Sequence, residues 1–296
     1  MKSVKYSMLN AHFWCATLDI TISLLTTPFI LFPTIAGYPM GLLKELGVST
    51  AAHIYIGVSI FAIVGIAVLG VFENRFYILF AQNSIWKWLR IPFFVVNYIM
   101  CVLFFIPPYL MIPDQKLALE EVHRELSGSL GILPSWIKDE QVFVLTTDAT
   151  YSFLSIFLVT IIIIAEILVF IFAVKFNMRS IKKKMTLSDA TLNLQKTFLK
   201  AVHIQMYMPL AILIAPLGYI ACSIYFRYHN QALNNLCFLS ISLHGLASTI
   251  IMLGIHKAYR EVCMKIFCVR MQYKATTPMV ESTRPSLVGQ VQRQDT

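Results

Sequence analysis

Histidines and acidic residues are the side chains of this sequence best suited to chemistry, but their spacing does not indicate a catalytic site. The chain has seven histidines, and no two of them are three or four residues apart, the spacing that places two metal ligands on one face of a helix. Neither a G-x-S-x-G nucleophile motif nor a phosphate-binding loop is present. We therefore predict no enzyme activity, no cofactor and no metal site.

Several polar side chains instead interrupt long apolar segments. Asp19 and Glu166 are ionisable groups within such segments, and because a charge is costly to place in hydrocarbon, each merits a functional hypothesis. Ser240, His244 and Ser248 recur at intervals of four, which places them on one stripe of a helix. This stripe is predicted to face other helices, where it either forms interhelical hydrogen bonds or contacts a ligand.

Charged and aromatic residues cluster where two of the apolar segments end. Glu73, Asn74 and Arg75 close one segment, and Arg75 either takes part in an intracellular contact or extends towards lipid headgroups. A second group follows the last apolar segment: His256, Lys257, Tyr259 and Arg260. Basic and aromatic residues also anchor helices at the membrane interface, so this second group has a structural interpretation beside a functional one.

Two prolines lie in the fifth apolar segment. Pro209 and Pro216 are seven residues apart, and therefore lie on nearly the same face of a helix. Each removes a backbone hydrogen bond and bends the helix. The pair predicts a kinked helix whose end can swing outward, although transmembrane helices often tolerate proline without such a role.

The elements that position these residues are predicted to be membrane-spanning helices. Hydrophobic residues make up 57% of the 296 positions and charged residues 13%, whereas soluble domains carry about 25% charged residues. A helix needs about 20 apolar residues to cross the hydrocarbon core. We predict an all-α bundle over residues 1–267 and a disordered tail over 268–296. The six predicted spans are at about 9–36, 48–72, 91–113, 143–174, 201–226 and 231–256.

The positions of the basic residues predict the orientation of this bundle. Of the 24 Lys and Arg residues, 19 fall in the N-terminal segment, alternate loops and C-terminal tail that share one side of the membrane. By the positive-inside rule, that side is cytoplasmic and both termini of this chain lie there. The net charge of +9 therefore reflects membrane topology, and we predict the lipid bilayer, not nucleic acid, as a partner.

Several short motifs are specific in combination and in order. They are Leu9-Asn10-Ala11-His12-Phe13-Trp14 with Leu18-Asp19, Phe72-Glu73-Asn74-Arg75-Phe76, Ile112-Pro113-Asp114-Gln115, His244-Gly245-Leu246 and His256-Lys257-Ala258-Tyr259-Arg260. From about Lys2 to Phe267 the chain resembles the class H serpentine chemoreceptors of nematodes. That family has seven helices, so the resemblance implies that the six spans are helices two to seven and that the first helix is missing. Ala258 stands where family members tend to have proline.

The resemblance implies a G-protein-coupled receptor that detects a small odorant or soluble chemical and signals to a heterotrimeric G protein. Its implied location is the plasma membrane of sensory cilia. The two charged groups at the inner ends of the spans would then face the G protein or switch conformation, and Asp19 would act at a hinge or packing contact. For the ligand pocket, we nominate tyrosines in the outer halves of the spans: Tyr55, Tyr109, Tyr151 and Tyr219.

Two other functions fit the same number of spans. Six spans with both termini inside is an architecture of transporters, and intramembrane acids can bind ions or protons. However, the sequence shows no internal repeat and no pair of broken helices in corresponding halves. The other alternative is an accessory membrane protein that does not signal, as expected if the missing helix abolishes signalling.

Overall fold

The computed structural model describes residues 2–129, 142–184, 211–255 and four positions between 261 and 265. The chain divides into two compact units, Met1–Met252 and Leu253–Thr296, and the architecture below is that of the first. The helices, in chain order, are α1 Lys2–Ile20, α2 Leu42–Glu45, α3 Thr50–Phe76, α4 Trp86–Leu103, α5 Ile106–Leu110, α6 Gln115–Ser129, α7 Ala149–Lys184, the described part of α8 Ala211–Tyr225, α9 Gln231–Ser242 and α10 His244–Ile255. Wider π-helical turns extend α1 over Thr21–Thr26 and α3 over Tyr77–Ala81.

Four helical segments are long and apolar enough to cross a membrane: Tyr6–Thr26, Thr50–Ala81, Trp86–Leu110 and Thr150–Arg179. Helices α9 and α10 form a fifth span if the pair, which is bent by 44°, is counted as one. The described part of α8 is shorter, and residues 201–210 of the sixth predicted span lie outside the described residues. A membrane bundle of helices is thus confirmed, while the count of six spans stays a prediction. The predicted disordered tail, 268–296, also lies outside the described residues.

The first span ends ten residues earlier than its predicted bounds of 9–36, because the apolar segment changes from helix to strand. The helical turns end at Thr26, and Thr27 adopts a left-handed backbone conformation with φ of 36°. Thr27 precedes Pro28, and the proline ring disfavours a helical conformation in the residue before it. The segment that follows forms strands β1 Pro28–Ile30 and β2 Ile35–Pro39. Hydropathy alone does not separate a helix from an apolar hairpin of this kind.

A three-stranded antiparallel sheet, which the all-helical prediction did not contain, closes one end of the bundle. Strand β2 lies between β1 and β3, Phe143–Thr146. Phe29 pairs with Tyr38 across β1 and β2, and Gly37 pairs with Ile30. A Cβ atom at Gly37 would lie 2.2 Å from the carbonyl oxygen of Phe29, so this register requires glycine. We call this end of the molecule the sheet end.

Helix α6 is held against the sheet by one side chain and a small apolar core. The Gln115 amide donates to the carbonyl of Val144 over 3.1 Å and accepts from its N–H over 2.9 Å. Val144 is fully buried with Ala118 and Val122 of α6. The side-chain amide of Gln115 thus makes the two hydrogen bonds to Val144 that a neighbouring strand would otherwise make at this edge of β3.

The main core lies where α1, α4 and α7 pack around α3. Ile66 and Leu69 of α3 are buried in this core with Ile171 of α7. Large apolar side chains on the opposite faces are exposed, including Phe157 and Phe172 of α7, which are 62% and 63% exposed. A helix that is apolar on all sides and exposed on one is typical of a membrane span. The bundle therefore presents its outer faces to lipid.

Candidate ligand cavity and its polar contacts

A cavity of about 100 Å³ lies between α1, α3, α7, α8 and α10. Most of its wall consists of aliphatic side chains, among them Val64, Ile163 and Leu213. Its polar wall residues are His12, Cys15, Thr160, His244 and Ser248. Apolar walls with a few placed polar groups are typical of sites for small organic molecules. Among the described residues, no three His, Cys, Asp or Glu side chains form a group that could hold a metal ion.

His244 lies at the break between α9 and α10. Its Nδ1 atom is 2.9 Å from a carboxylate oxygen of Asp19 and 2.8 Å from the carbonyl oxygen of Ile241. Both neighbours are acceptors, so Nδ1 carries a hydrogen and donates. The residue is 0% exposed, and its other ring nitrogen, Nε2, has no hydrogen-bond partner in the described part of the chain. His244 is therefore oriented by Asp19 and lines the cavity.

The carboxylate of Asp19 also caps the second half of the broken helix. Its two oxygens accept from the backbone N–H groups of Gly245, over 3.2 Å, and Leu246, over 3.0 Å. Such N–H groups lack partners within the helix, and a carboxylate there is also favoured by the helix dipole. A Cβ atom at Gly245 would lie 2.5 Å from an Asp19 oxygen. Helix α1 thus fixes the start of α10 through one side chain, and glycine is needed for the close approach.

The predicted polar stripe is divided by the bend. His244 and Ser248 line the cavity, whereas Ser240 belongs to α9 and is not among the described lining residues. Asp19, predicted to act at a hinge or packing contact, lies at the break between the two helices. A functional role for any of these residues stays a prediction.

A second polar cluster lies near the C-terminal end of α3. We call this end of the molecule the Glu73 end. Glu73 is 0% exposed, and its carboxylate accepts from Trp86 Nε1 over 2.8 Å and from Arg90 Nε over 2.9 Å. A second guanidinium nitrogen of Arg90 donates to the side-chain oxygen of Asn74 over 3.0 Å. The guanidinium also lies 4.6 Å from the ring centre of Tyr77. The buried charge of Glu73 is therefore paired, and α3 is fastened to α4.

The same cluster connects to α1, and a buried arginine follows Asn74 along α3. The Asn74 amide donates to the hydroxyl of Ser7 over 3.1 Å. Arg75, next along α3, is only 6% exposed, which places its side chain inside the bundle and not among lipid headgroups. Of the second predicted group, His256, Lys257, Tyr259 and Arg260 lie outside the described residues. Whether either group faces a G protein stays a prediction.

The sequence analysis did not identify Trp86 and Arg90, the two partners of Glu73. Their spacing of four residues places them on one face of α4, directly after the short turn that follows α3. Glu73 lies near the end of one helix and Arg90 near the start of the next. This arrangement could have predicted an ion pair between them. His12 and Cys15 also line the cavity. His12 was noted only as part of a motif, although its spacing of three from Cys15 places both residues on one face of α1.

The four nominated tyrosines lie away from the main cavity and are not among its described lining residues. Tyr55 and Tyr109 pack edge to face with ring centres 5.7 Å apart. The Tyr219 hydroxyl donates to the side-chain oxygen of Asn234 over 3.0 Å. Tyr151 lines a second cavity of about 170 Å³ at the sheet end. Their role in ligand binding stays a prediction.

The prolines of the fifth predicted span are only partly described. Pro216 is buried in α8, where its carbonyl accepts a weak hydrogen bond from the thiol of Cys237. Pro209 lies outside the described residues. A swinging motion about this pair stays a prediction.

At the sheet end, Asp148 caps α7 much as Asp19 caps α10. Its carboxylate accepts from the backbone N–H of Thr150 over 2.9 Å. Hydrogen bonds from the side chain and backbone of Thr150 hold the pKa of Asp148 below its usual value of 3.8. Unlike Asp19, Asp148 is exposed to solvent.

Comparison with known proteins assigns the chain to a family. The model of the family described as "Serpentine type 7TM GPCR chemoreceptor Srh" matches residues 1–269. The chain is also 23% identical over 302 aligned positions to "Serpentine receptor class H-72" of Caenorhabditis elegans, and the match covers 96% of this chain and 81% of that protein. No solved structure matches. With a family match over most of its length, the chain belongs to the Srh family of serpentine seven-transmembrane chemoreceptors.

Proposed function

We propose that this chain is a chemosensory receptor that binds a small molecule inside its helix bundle and activates a heterotrimeric G protein. The observation that carries the proposal is the cavity of about 100 Å³ at the break between α9 and α10. An apolar cavity at a helix break can both bind a ligand and respond to it. Membership of a chemoreceptor family supports the same conclusion.

In this proposal, the sheet end faces outward and the Glu73 end faces the cytoplasm. The support comes from the sequence: 19 of the 24 Lys and Arg residues fall in the N-terminal segment, alternate loops and C-terminal tail, and Glu73 closes an apolar segment that leads into one of these loops. Both termini of this chain would then be cytoplasmic. The sensory cilium is the expected plasma-membrane site for a receptor of external chemicals.

The proposed mechanism is a shift between two arrangements of α10 relative to α1. In the arrangement described, Asp19 holds the first N–H groups of α10 and orients His244. A ligand shifts this equilibrium only if it binds one arrangement more tightly than the other. Contact with His244 supplies that difference, because the imidazole and the helix cap share one carboxylate. The response would be detected at the Glu73 end, where Arg75 follows Glu73 and Asn74 in the chain and is buried.

The experiment that tests this function is a ligand screen in cells that express the chain with a G-protein activation sensor. We expect at least one small volatile or water-soluble compound to evoke a response. Arg75→Ala should abolish that response at unchanged surface expression. Lys87→Ala, which removes an exposed cation from the same end, is the matched control and should respond normally.

Transport is the second candidate, because the broken α9–α10 span is a feature that transporters use to bind substrates. Transporter folds place such breaks in corresponding helices of two halves, and one bent pair is found among the described helices. The same cells separate the two functions. Uptake of a screened compound that is insensitive to Arg75→Ala, without G-protein activation, would support transport and contradict the receptor.

A further inference from the structure

We propose that the second cavity, at the sheet end, binds a small organic cation such as an alkylammonium or arylmethylammonium ion, through the carboxylate of Asp148 and the aromatic ring of Tyr151. This site goes beyond the proposed function, which places the activating ligand in the cavity at the break between α9 and α10. Either orientation of the sheet end in the membrane is compatible with it.

The sheet-end cavity is larger than the cavity at the helix break. Its volume is about 170 Å³, against about 100 Å³ for the other, and its described wall comes from α5, β3, the start of α7 and the segments beside them. An engineered cavity of about 150 Å³ in another protein holds benzene. The volume here therefore accommodates a ring or short chain of roughly six to eight non-hydrogen atoms.

Asp148 gives this cavity a negative charge. The residue is exposed and lines the cavity, and hydrogen bonds from Thr150 hold its pKa below 3.8, so the carboxylate is ionised at neutral pH. In the described part of the chain, the hydrogen bonds to this carboxylate come from Thr150, and no Lys or Arg lines the cavity or pairs with Asp148. The charge is consequently available to a cationic ligand.

Tyr151 places an aromatic ring near this charge. Asp148 directly precedes α7 and Tyr151 follows it by three residues, a spacing that puts both on one face of the first helical turn. Tyr151 also lines the cavity and is 56% exposed. The face of an aromatic ring attracts cations. The carboxylate and the ring together therefore favour a positively charged group over a neutral group of the same shape.

The rest of the wall favours an organic cation over a metal ion. Pro108, Met111 and Pro113 line the cavity and supply apolar surface for the body of a ligand. Asp148 is the one acidic residue among the described lining residues, whereas Ca²⁺ takes about six to eight oxygen ligands. An ammonium group on a small hydrocarbon matches both the charged and the apolar parts of the wall.

Three probes of similar size test the role of charge: benzylammonium, benzyl alcohol and benzoate. The full chain is placed in nanodiscs of phosphatidylcholine, which has no net charge, and each probe is titrated by saturation-transfer NMR with empty nanodiscs subtracted. We expect benzylammonium to bind about fivefold more tightly than benzyl alcohol, the combined effect of one exposed ion pair and one cation–π contact, and benzoate to bind least. This preference should disappear in about 1 M salt, which screens exposed charges. Equal binding of benzylammonium and benzyl alcohol at low salt would overturn the inference.

Substitutions identify the residues responsible. Asp148→Asn removes the charge but keeps a good helix-capping residue, and should reduce the preference to less than about twofold. Asp114→Asn is the matched control, because Asp114 is an exposed acid that caps α6 through the N–H of Lys116 over 3.0 Å but is not among the described lining residues. Tyr151→Leu should lose part of the preference, whereas Tyr151→Phe, which keeps the ring, should retain it. A preference that survives Asp148→Asn, or that Tyr151→Leu leaves intact, would contradict the assignment.

A measurement on the unaltered chain locates the probe without any substitution. In protein labelled with ¹³C at the methionine methyl groups, benzylammonium should shift the resonance of Met111, which lines the cavity, through the ring current of the probe. Met40 is 47% exposed but is not among the described lining residues, so its resonance should stay in place. The absence of a shift at Met111 on saturation would overturn the inference. None of these tests involves a G protein, so their outcome is separate from that of the proposed function.

Discussion

The two polar clusters of this bundle are built from similar groups but differ in how completely those groups are paired. At the Glu73 end, the carboxylate receives an indole N–H and a guanidinium, and the same guanidinium reaches Asn74. At the break between α9 and α10, both oxygens of Asp19 are also hydrogen-bonded, but Nε2 of the imidazole that Asp19 orients has no hydrogen-bond partner among the described residues. A cluster whose polar groups are all hydrogen-bonded holds helices together. A cluster with an unpaired polar group can rearrange when a ligand binds.

This difference assigns separate tasks to the Glu73 end and to the break between α9 and α10. A paired, buried charge is expensive to disturb, so the Glu73 end should move as a unit with α3 and α4. The break at His244 is held by a helix cap and a hydrogen bond from His244 that share one carboxylate, so a ligand that alters one alters the other. We expect substitutions at the first cluster to affect stability most, and substitutions at the second to affect the response.

The largest expected effect comes from breaking the Glu73 pair. Arg90→Met leaves the fully buried carboxylate of Glu73 without its cation, which should destabilise the bundle by about 3–5 kcal/mol. The melting temperature in detergent should fall sharply and surface expression should drop. Lys87→Met, which removes an exposed cation one turn earlier, is the control. If Arg90→Met were as stable as wild type, the cluster would not stabilise the packing of α3 against α4.

A smaller effect is expected at the helix break. Gly245→Ala places a Cβ atom 2.5 Å from the Asp19 carboxylate and should force it off the cap, at a cost of about 1–2 kcal/mol. Gly57→Ala is the control, because a Cβ atom at Gly57 meets nothing within 4 Å. Thermal unfolding of both variants gives the comparison. Equal stability of the two would mean that the Asp19 cap does not hold α10.

A third prediction concerns the link between α1 and the Glu73 end. Ser7→Ala removes the acceptor of the Asn74 amide and should cost about 0.6 kcal/mol, the average for an interhelical hydrogen bond in a membrane. Ser23→Ala is the control, because the Ser23 hydroxyl donates over 2.6 Å to the backbone carbonyl of Asp19, within its own helical segment. Unfolding in denaturing detergent resolves the difference. A loss several times larger would mean that Ser7 supports more of the cluster than one bond.

The smallest effect is expected at Asp148, the exposed counterpart of the Asp19 cap. Its pKa is lowered in the folded protein, so its contribution to stability is complete above its ordinary value of 3.8. That contribution is lost as the pH falls through the lower folded value. Wild type should therefore lose its small advantage over Asp148→Asn as the pH falls below 3.8. Melting curves at descending pH give the result, and an advantage that grows on acidification would contradict it.

Particular residues show how far the sequence could predict this structure. Helical spans and their exposed faces follow from composition and length, and Asp19 and His244 could be singled out because each is costly in hydrocarbon. The hairpin at β1 and β2 could not be predicted from hydropathy, since its apolar residues satisfy the same test as a helix. The pairing of Asp19 with His244 could not be predicted either, because 225 positions separate the two residues and only packing brings them together.

The cavity itself was beyond sequence analysis for a related reason. The nominated tyrosines were chosen as polar aromatics near the outer ends of spans, but the described wall is mostly aliphatic. The cavity is lined in part by small residues, Ala62, Val64 and Gly65. Their short side chains leave the space open. A void depends on which side chains are too short to meet, and that is a property of the packed bundle.

The most direct test of the account fills the cavity. Ala62 is buried at its wall, and Ala62→Leu would occupy part of the 100 Å³ while Asp19 and His244 are both retained. We would record dose–response curves of G-protein activation for wild type and this variant at matched surface expression, using the best compound from the screen. The account predicts a loss of response or a shift to at least tenfold higher concentration, equivalent to about 1.4 kcal/mol of binding. An unchanged curve would contradict the claim that the ligand acts from this cavity.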